Sequence, residues 1–215
     1  MHYAEANLGP IDILVNNAGI SRIGPLTGEP EDLDIWWRVY EVNVRAPVAL
    51  IRAVLPSMEQ RKTGVLISTS SSVATMDLPA MTAYASSKAA ISKFHESLSK
   101  ELDDINILSF AVHPGMVKTE LGAADSAINK SAIQDPAMQR FLATVRDPAR
   151  QTHMQTPELC ADTMVALASD SRYAVLTGHH INATQDLNAV VEEAQKQGKG
   201  RIGEERLYLV NIGTL

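Results

Sequence analysis

Short apolar runs alternate with stretches of helical period along the 215-residue chain. In "IDILVNNAG" (11–19) the run Ile13-Leu14-Val15 stops at Asn, Asn, Ala and Gly, which reads as a buried strand emptying into a loop. Residues 30–62 follow a helical period through Leu33, Trp36, Trp37, Tyr40, Val44, Val48 and Ile51, and Pro47 is expected to kink this helix or divide it in two. "GVLISTSSS" (64–72) reads as a second buried strand, residues 81–104 as a long helix, and "INILSFAVHPG" (105–115) as a third strand ended by Pro-Gly. Thr156, Pro157 and Glu158 mark the start of a helix over 156–170, with Thr156 as its N-cap. "TGHHINATQ" (177–185) completes the series as a fourth strand.

Strand and helix thus alternate, which predicts an α/β fold with a parallel sheet and helices on both faces. In such folds ligands bind beyond the carboxyl ends of the strands. Here those ends read "NNAG", "STSSS" and "HPG", all small or polar. Residues 119–155 show no clear period, and a mobile lid is expected there, a disordered surface insertion being the plainer alternative. Residues 186–215 form a C-terminal extension, a charged helix and a short apolar strand, packed on the domain of residues 1–185 or on a partner subunit.

Composition narrows the function classes. The net charge is −6 and no basic cluster is present, so nucleic acid is not expected as a partner. No apolar run approaches a membrane span, and the N-terminus has neither the basic nor the apolar region of a secretory signal. Cys160 is the single cysteine, which excludes an internal disulfide and suits a reducing, cytoplasmic setting. His179 and His180 are adjacent, so they would point to opposite faces of a strand, and no metal site is expected. Trp36 and Trp37 are read as core or interface residues and Cys160 as a buried helix residue.

Candidate chemistry gathers in "TAYASSKAA" (82–90). Tyr84 and Lys88 stand one helical turn apart, and Ser71 lies on the loop leaving the preceding strand. A tyrosine hydroxyl has a pKa of about 10, too high for a base at neutral pH. A neighbouring ammonium would lower it and let Tyr84 trade a proton with an alcohol or carbonyl oxygen. Ser71 would hold that oxygen by a hydrogen bond. Each piece alone has a plainer reading: a turn at Pro114-Gly115, a capping asparagine at position 43, a backbone-bonded serine at position 71.

Taken in order, "NNAG" (16–19), Asn43 in "EVNVRAP", "ISTSSSVATMDLPAMTAYASSKAA" (67–90) and "HPGMVKT" (113–119) resemble the short-chain dehydrogenases/reductases of the single-domain type, a resemblance running from residue 1 to about 185. It implies a Rossmann-like, doubly wound, three-layer α/β/α fold. It implies NAD or NADP as cofactor, an alcohol or ketone as substrate, and a homodimer or homotetramer. Tyr84 would be the acid/base. Lys88 would bind the nicotinamide ribose and depress the phenol's pKa, Ser71 would orient the substrate, and Asn43 would hold a water linking Lys88 to solvent. Asn16, Ala18 and Gly19 would line the cofactor cleft, with Asn17 bracing the strands. Pro114, Gly115, Val117 and Thr119 would contact the nicotinamide end.

The family opens with a strand, a glycine-rich turn and a helix that hold the pyrophosphate, and no such segment stands in this chain. The expectation is therefore a fold truncated at its N-terminus, from a shortened gene model or splice product, with Ile11–Val15 left as a sheet edge. Two other readings stand beside the oxidoreductase. One is an inactive fragment that only binds another subunit; the other is a related epimerase or dehydratase that shares Tyr-x-x-x-Lys.

Overall fold

The computed structural model describes residues 2–119, 121, 127–129, 136, 139–140, 143 and 154–196. Most of the expected lid (119–155) and the short apolar strand of the C-terminal extension lie outside the described residues. A short helix α1 (His2–Leu8) leads into β1 (Ile13–Asn16). Then come α2 (Asp34–Tyr40), α3 (Ala46–Arg61), β2 (Gly64–Thr69), α4 (Thr82–Glu101) and β3 (Ile107–His113). Helix α5 (Pro157–Ser169), β4 (His180–Asn182) and α6 (Leu187–Ala194) complete the order. The strands form one parallel sheet in the order β1-β2-β3-β4. This is the parallel α/β architecture expected from the alternation and the Rossmann-like fold that the resemblance implies.

The pleat sorts the strand residues between two cores. Leu14, Leu66 and Ile107 pack against Ile51, Val54 and Met58 of α3 and Leu98 and Leu102 of the α4 end. Ile67, Phe110, Val112 and Ile181 pack on the other face against Cys160, Met164 and Leu167 of α5 and Val190, Val191 and Ala194 of α6. Burial of each such large side chain contributes roughly 1.5–3 kcal/mol. Among the described residues, the second face is covered over β3 and β4. β1 is an edge strand, and Ile13 and Val15 stay 49% and 43% exposed there. That matches the edge expected at Ile11–Val15.

Residues 30–62 are not one helix. Leu33 takes a left-handed conformation and starts α2, and a π-turn over Glu41–Arg45 joins α2 to α3. Pro47 stands just after the π-turn, and its missing N–H and ring act on the carbonyl four residues back, at Asn43. The interruption expected at Pro47 therefore stands as the turn just before it. The fourth strand is shorter than expected because Thr177 caps a 3₁₀ turn and Gly178 adopts φ +82°. Thr156 does occupy the N-cap of α5, but its side chain makes no capping bond to the backbone. Trp36 and Trp37 are not core residues. Trp36 stacks on Tyr40, Trp37 meets both rings at a steep angle, and Trp37 is 54% exposed.

Two histidines lie deep in this fold. Burial lowers His95 to about 3 and His180 to about 4. Both are neutral when folded, whereas the unfolded chain takes up those protons below about pH 6.5. Stability is therefore full above pH 6.5 and is lost as pH falls toward 4. Urea unfolding at pH 7.0 and 4.5 should show a lower midpoint at the acid pH, and His180→Asn should make that loss shallower.

Candidate active site

The ends of β1, β2 and β3 open on one side of the sheet and share a cavity of about 730 Å³. Ala18 and Gly19 enter it after β1; Thr69, Ser70 and Ser71 at β2; and Pro114, Gly115, Val117 and Thr119 beyond β3. Helix α4 adds Tyr84 and Lys88. The structure thus brings together nine of the residues singled out in the sequence: Ala18, Gly19, Ser71, Tyr84, Lys88, Pro114, Gly115, Val117 and Thr119.

Asn16 and Asn43 do not line it. Asn16 is buried, donates from Nδ2 to Ser68 Oγ (3.4 Å), and borders a separate depression beside Arg38, Val42 and Leu50. Asn43 lies behind the cleft wall. Its Oδ1 accepts from Ile20 N–H at 2.9 Å, and its Nδ2 donates to Ile20 C=O at 2.9 Å and to Ser87 Oγ at 3.0 Å. The π-turn carries this side chain inward, where Asn43 closes on Ile20. Asn17 braces the strands as expected, accepting from Thr69 Oγ1 at 2.8 Å.

The serine run divides by orientation. Ser70 is buried and donates to Lys88 C=O (3.2 Å) while bonding Ser92 Oγ at 2.7 Å. Ser71 faces the cavity beside Tyr84 and accepts from Val73 N–H. Ser72 begins a 3₁₀ turn. Two glycines are required by space. A Cβ at Gly19 would press to 3.3 Å from both Asn43 Oδ1 and Lys88 Nζ. Gly115 has φ +84°, and a Cβ there would meet Gln155 Oε1 at 2.7 Å.

The electrostatics differ from the sequence expectation. Burial pushes the Tyr84 phenol above its ordinary value, and the Ser71 hydroxyl only partly opposes it. The Lys88 ammonium donates to Thr69 C=O at 2.7 Å and stands 5.7 Å from the Tyr84 ring centre. Burial lowers Lys88 to about 8. Desolvation of both groups therefore outweighs the expected depression of the phenol by the ammonium. Among the described residues no cluster of His, Cys, Asp or Glu could hold a metal, and no helix is long and apolar enough to cross a membrane.

Several lining residues were not singled out by motif. Thr69 and His113 close their strands, and the strand-end rule alone would have found them. Pro157, Cys160, Ala161 and Met164 enter from α5 on a plain helical period that carries no chemical signature.

Comparison with known proteins adds to this geometry. The family model described as short chain dehydrogenase matches residues 1–129. The chain is 61% identical over 211 residues to "Short chain dehydrogenase MYCFIDRAFT_6125" of Pseudocercospora fijiensis, covering 98% of this chain and 67% of that protein. It is 30% identical to "Short chain dehydrogenase pigC" of Monascus ruber over 87% of this chain and 55% of the relative. A gluconate 5-dehydrogenase from Burkholderia cenocepacia, solved in complex with NADP and tartrate, superposes with TM-score 0.67 at 26% identity. The match covers 84% of this chain and 66% of that one. The chain therefore spans between about half and two thirds of the length of these relatives.

The hydrogen bonds of Asn43 lead to a direct test. Asn43→Ala leaves partly buried backbone groups of Ile20 without these partners, at a cost of roughly 1 kcal/mol. Urea unfolding should show that loss.

Proposed function

The chain belongs to the short-chain dehydrogenase family, and on that premise we propose that it interconverts a secondary alcohol and a ketone with NAD or NADP. The observation that carries this reading is the convergence of Ser71, Tyr84 and Lys88 on one cavity, with Lys88 Nζ 5.7 Å from the centre of the Tyr84 ring. The cavity suits the nicotinamide–ribose half of such a cofactor. Gly19 leaves space beside the Lys88 ammonium, and Val15, Pro114, Val117 and Met164 offer apolar walls. Among the described lining residues Lys88 is the sole cation, so the fit does not extend to the diphosphate.

When bound, the nicotinamide supplies or accepts the hydride. The remaining work falls to this chain's own side chains. Ser71 holds the substrate oxygen by a hydrogen bond and sets its distance from Tyr84. Burial keeps the Tyr84 phenol protonated at neutral pH, so its natural role is to give its proton to a carbonyl oxygen as that oxygen gains charge. Lys88, fixed on Thr69 C=O, has further ammonium hydrogens that would hold the ribose hydroxyls of a bound cofactor. Residues 1–185 carry these groups, and the single buried Cys160 suits a reducing, cytoplasmic setting. Pairing of two copies belongs to the same reading. Ile35 and Trp37 are exposed on α2, and Trp36 Nε1 donates to Thr82 Oγ1 at the start of α4, joining two helices into one surface.

Two outcomes follow. Tyr84→Phe should lower ketone reduction by at least about a hundredfold, in line with general acid catalysis, while leaving cofactor binding by nicotinamide fluorescence within about twofold; an undiminished rate would remove Tyr84 from the reaction. Lys88 holds its charge below about pH 8 and loses it above. Cofactor affinity should therefore weaken as pH rises from 7 to 9, and Lys88→Met should abolish that dependence.

A further inference from the structure

Tyr84, Lys88, Ile91 and His95 follow one another on α4 at spacings of four, three and four, so they form one buried stripe facing the sheet. The imidazole of His95 is fully buried and bonds both neighbouring strands. Nε2 lies 2.7 Å from Ser68 Oγ of β2, and Nδ1 lies 2.7 Å from Ser109 Oγ of β3. The contact from Ser109 Oγ to His95 C=O sets the direction assigned to these bonds. Ser109 Oγ donates to His95 C=O at 3.4 Å, which leaves it to accept from Nδ1–H. Nε2 then accepts from the Ser68 hydroxyl, and Ser68 Oγ accepts from Asn16 Nδ2 of β1. One neutral imidazole thereby ties α4 to β2 and β3 directly and to β1 through Ser68.

An apolar side chain would fill the same space without hydrogen-bond requirements. What it would lack is direction. Ser68 immediately precedes Thr69, whose carbonyl receives the Lys88 ammonium, and Ser71 follows two residues later. The height of α4 over Ser68 therefore sets the Lys88–Thr69 and Tyr84–Ser71 contacts together. We propose that His95, held as its Nδ1–H tautomer between Ser68 and Ser109, is a positioning residue that seats Tyr84 and Lys88 at the strand ends. This rests on the reading of Tyr84 and Lys88 as the reacting pair.

The test combines spectroscopy and kinetics on the 215-residue chain. With ¹⁵N-histidine label, His95 should show a protonated Nδ1 and an unprotonated Nε2 between pH 6 and 8; the opposite tautomer overturns the proposal. In His95→Leu, the Lys88 ammonium, followed with ¹³Cε-lysine, should titrate higher than in the wild type as it regains water. Turnover should fall about tenfold or more, the scale set by small misplacements of reacting groups, with KM for the cofactor changing far less. Leu98→Ala, a core truncation on the same helix, should lower Tm while leaving the Lys88 midpoint in place. An unmoved Lys88 midpoint in folded His95→Leu contradicts the proposal. If that variant does not fold, Ser68→Ala keeps the imidazole, severs one bond and is read in the same way. A wild type without turnover would count against the oxidoreductase reading alone, since the lysine titration still decides the role of His95.

Discussion

Tyr84 and Lys88 lose their water because α4 lies close on the ends of β2 and β3, and most properties of the cleft follow from that contact. Ala83, Ser87, Ser92 and Ser99 are small and buried on the same helix, so its backbone can approach the sheet. Their hydroxyls do not go unpaired. Ser87 donates to Tyr84 C=O, Ser92 bonds both Ser70 and His180, and Ser99 donates to Glu96 C=O. Two polar groups are thereby held in a dry setting, which raises the phenol and lowers the ammonium.

The rest of the chain keeps that contact in register. Asn43 reaches from the π-turn to clamp Ile20, and Gly19 beside it leaves only enough space for Lys88 Nζ. Gly64 starts β2 where a Cβ would collide with the Met58 side chain, so α3 is seated close on the sheet there. On the opposite face, α5 and α6 cover β3 and β4 and leave the β1 side open, which gives the cleft its width.

Elements whose signal is local were legible in the sequence. The four strands carry apolar cores stopped by Asn, Ser, Pro or Gly, and α4 and α5 have clear periods. Ser71, Tyr84, Lys88 and the Pro114-Gly115 turn stand in short ordered motifs, and the fold brings them to one rim. What the sequence obscured depends on neighbours far along the chain. The π-turn that redirects Asn43 answers to Ile20 and Ser87, and no periodicity reports it. Asn16 turns to Ser68, because its strand partner offers a hydroxyl there. The direction of the Tyr84 shift was misread for a similar reason. Spacing reveals that a lysine is near, but only packing reveals how much water both groups have lost. His95 gave no motif at all, since its partners are single serines on two different strands.

The central claim is that burial keeps the Tyr84 phenol protonated in the free chain. It is tested most directly by pH titration of ¹³Cζ-tyrosine resonances, with Tyr84 identified by its loss in Tyr84→Phe. The account predicts a midpoint above that of a free tyrosine, about 10. A midpoint at or below that of free tyrosine would contradict it.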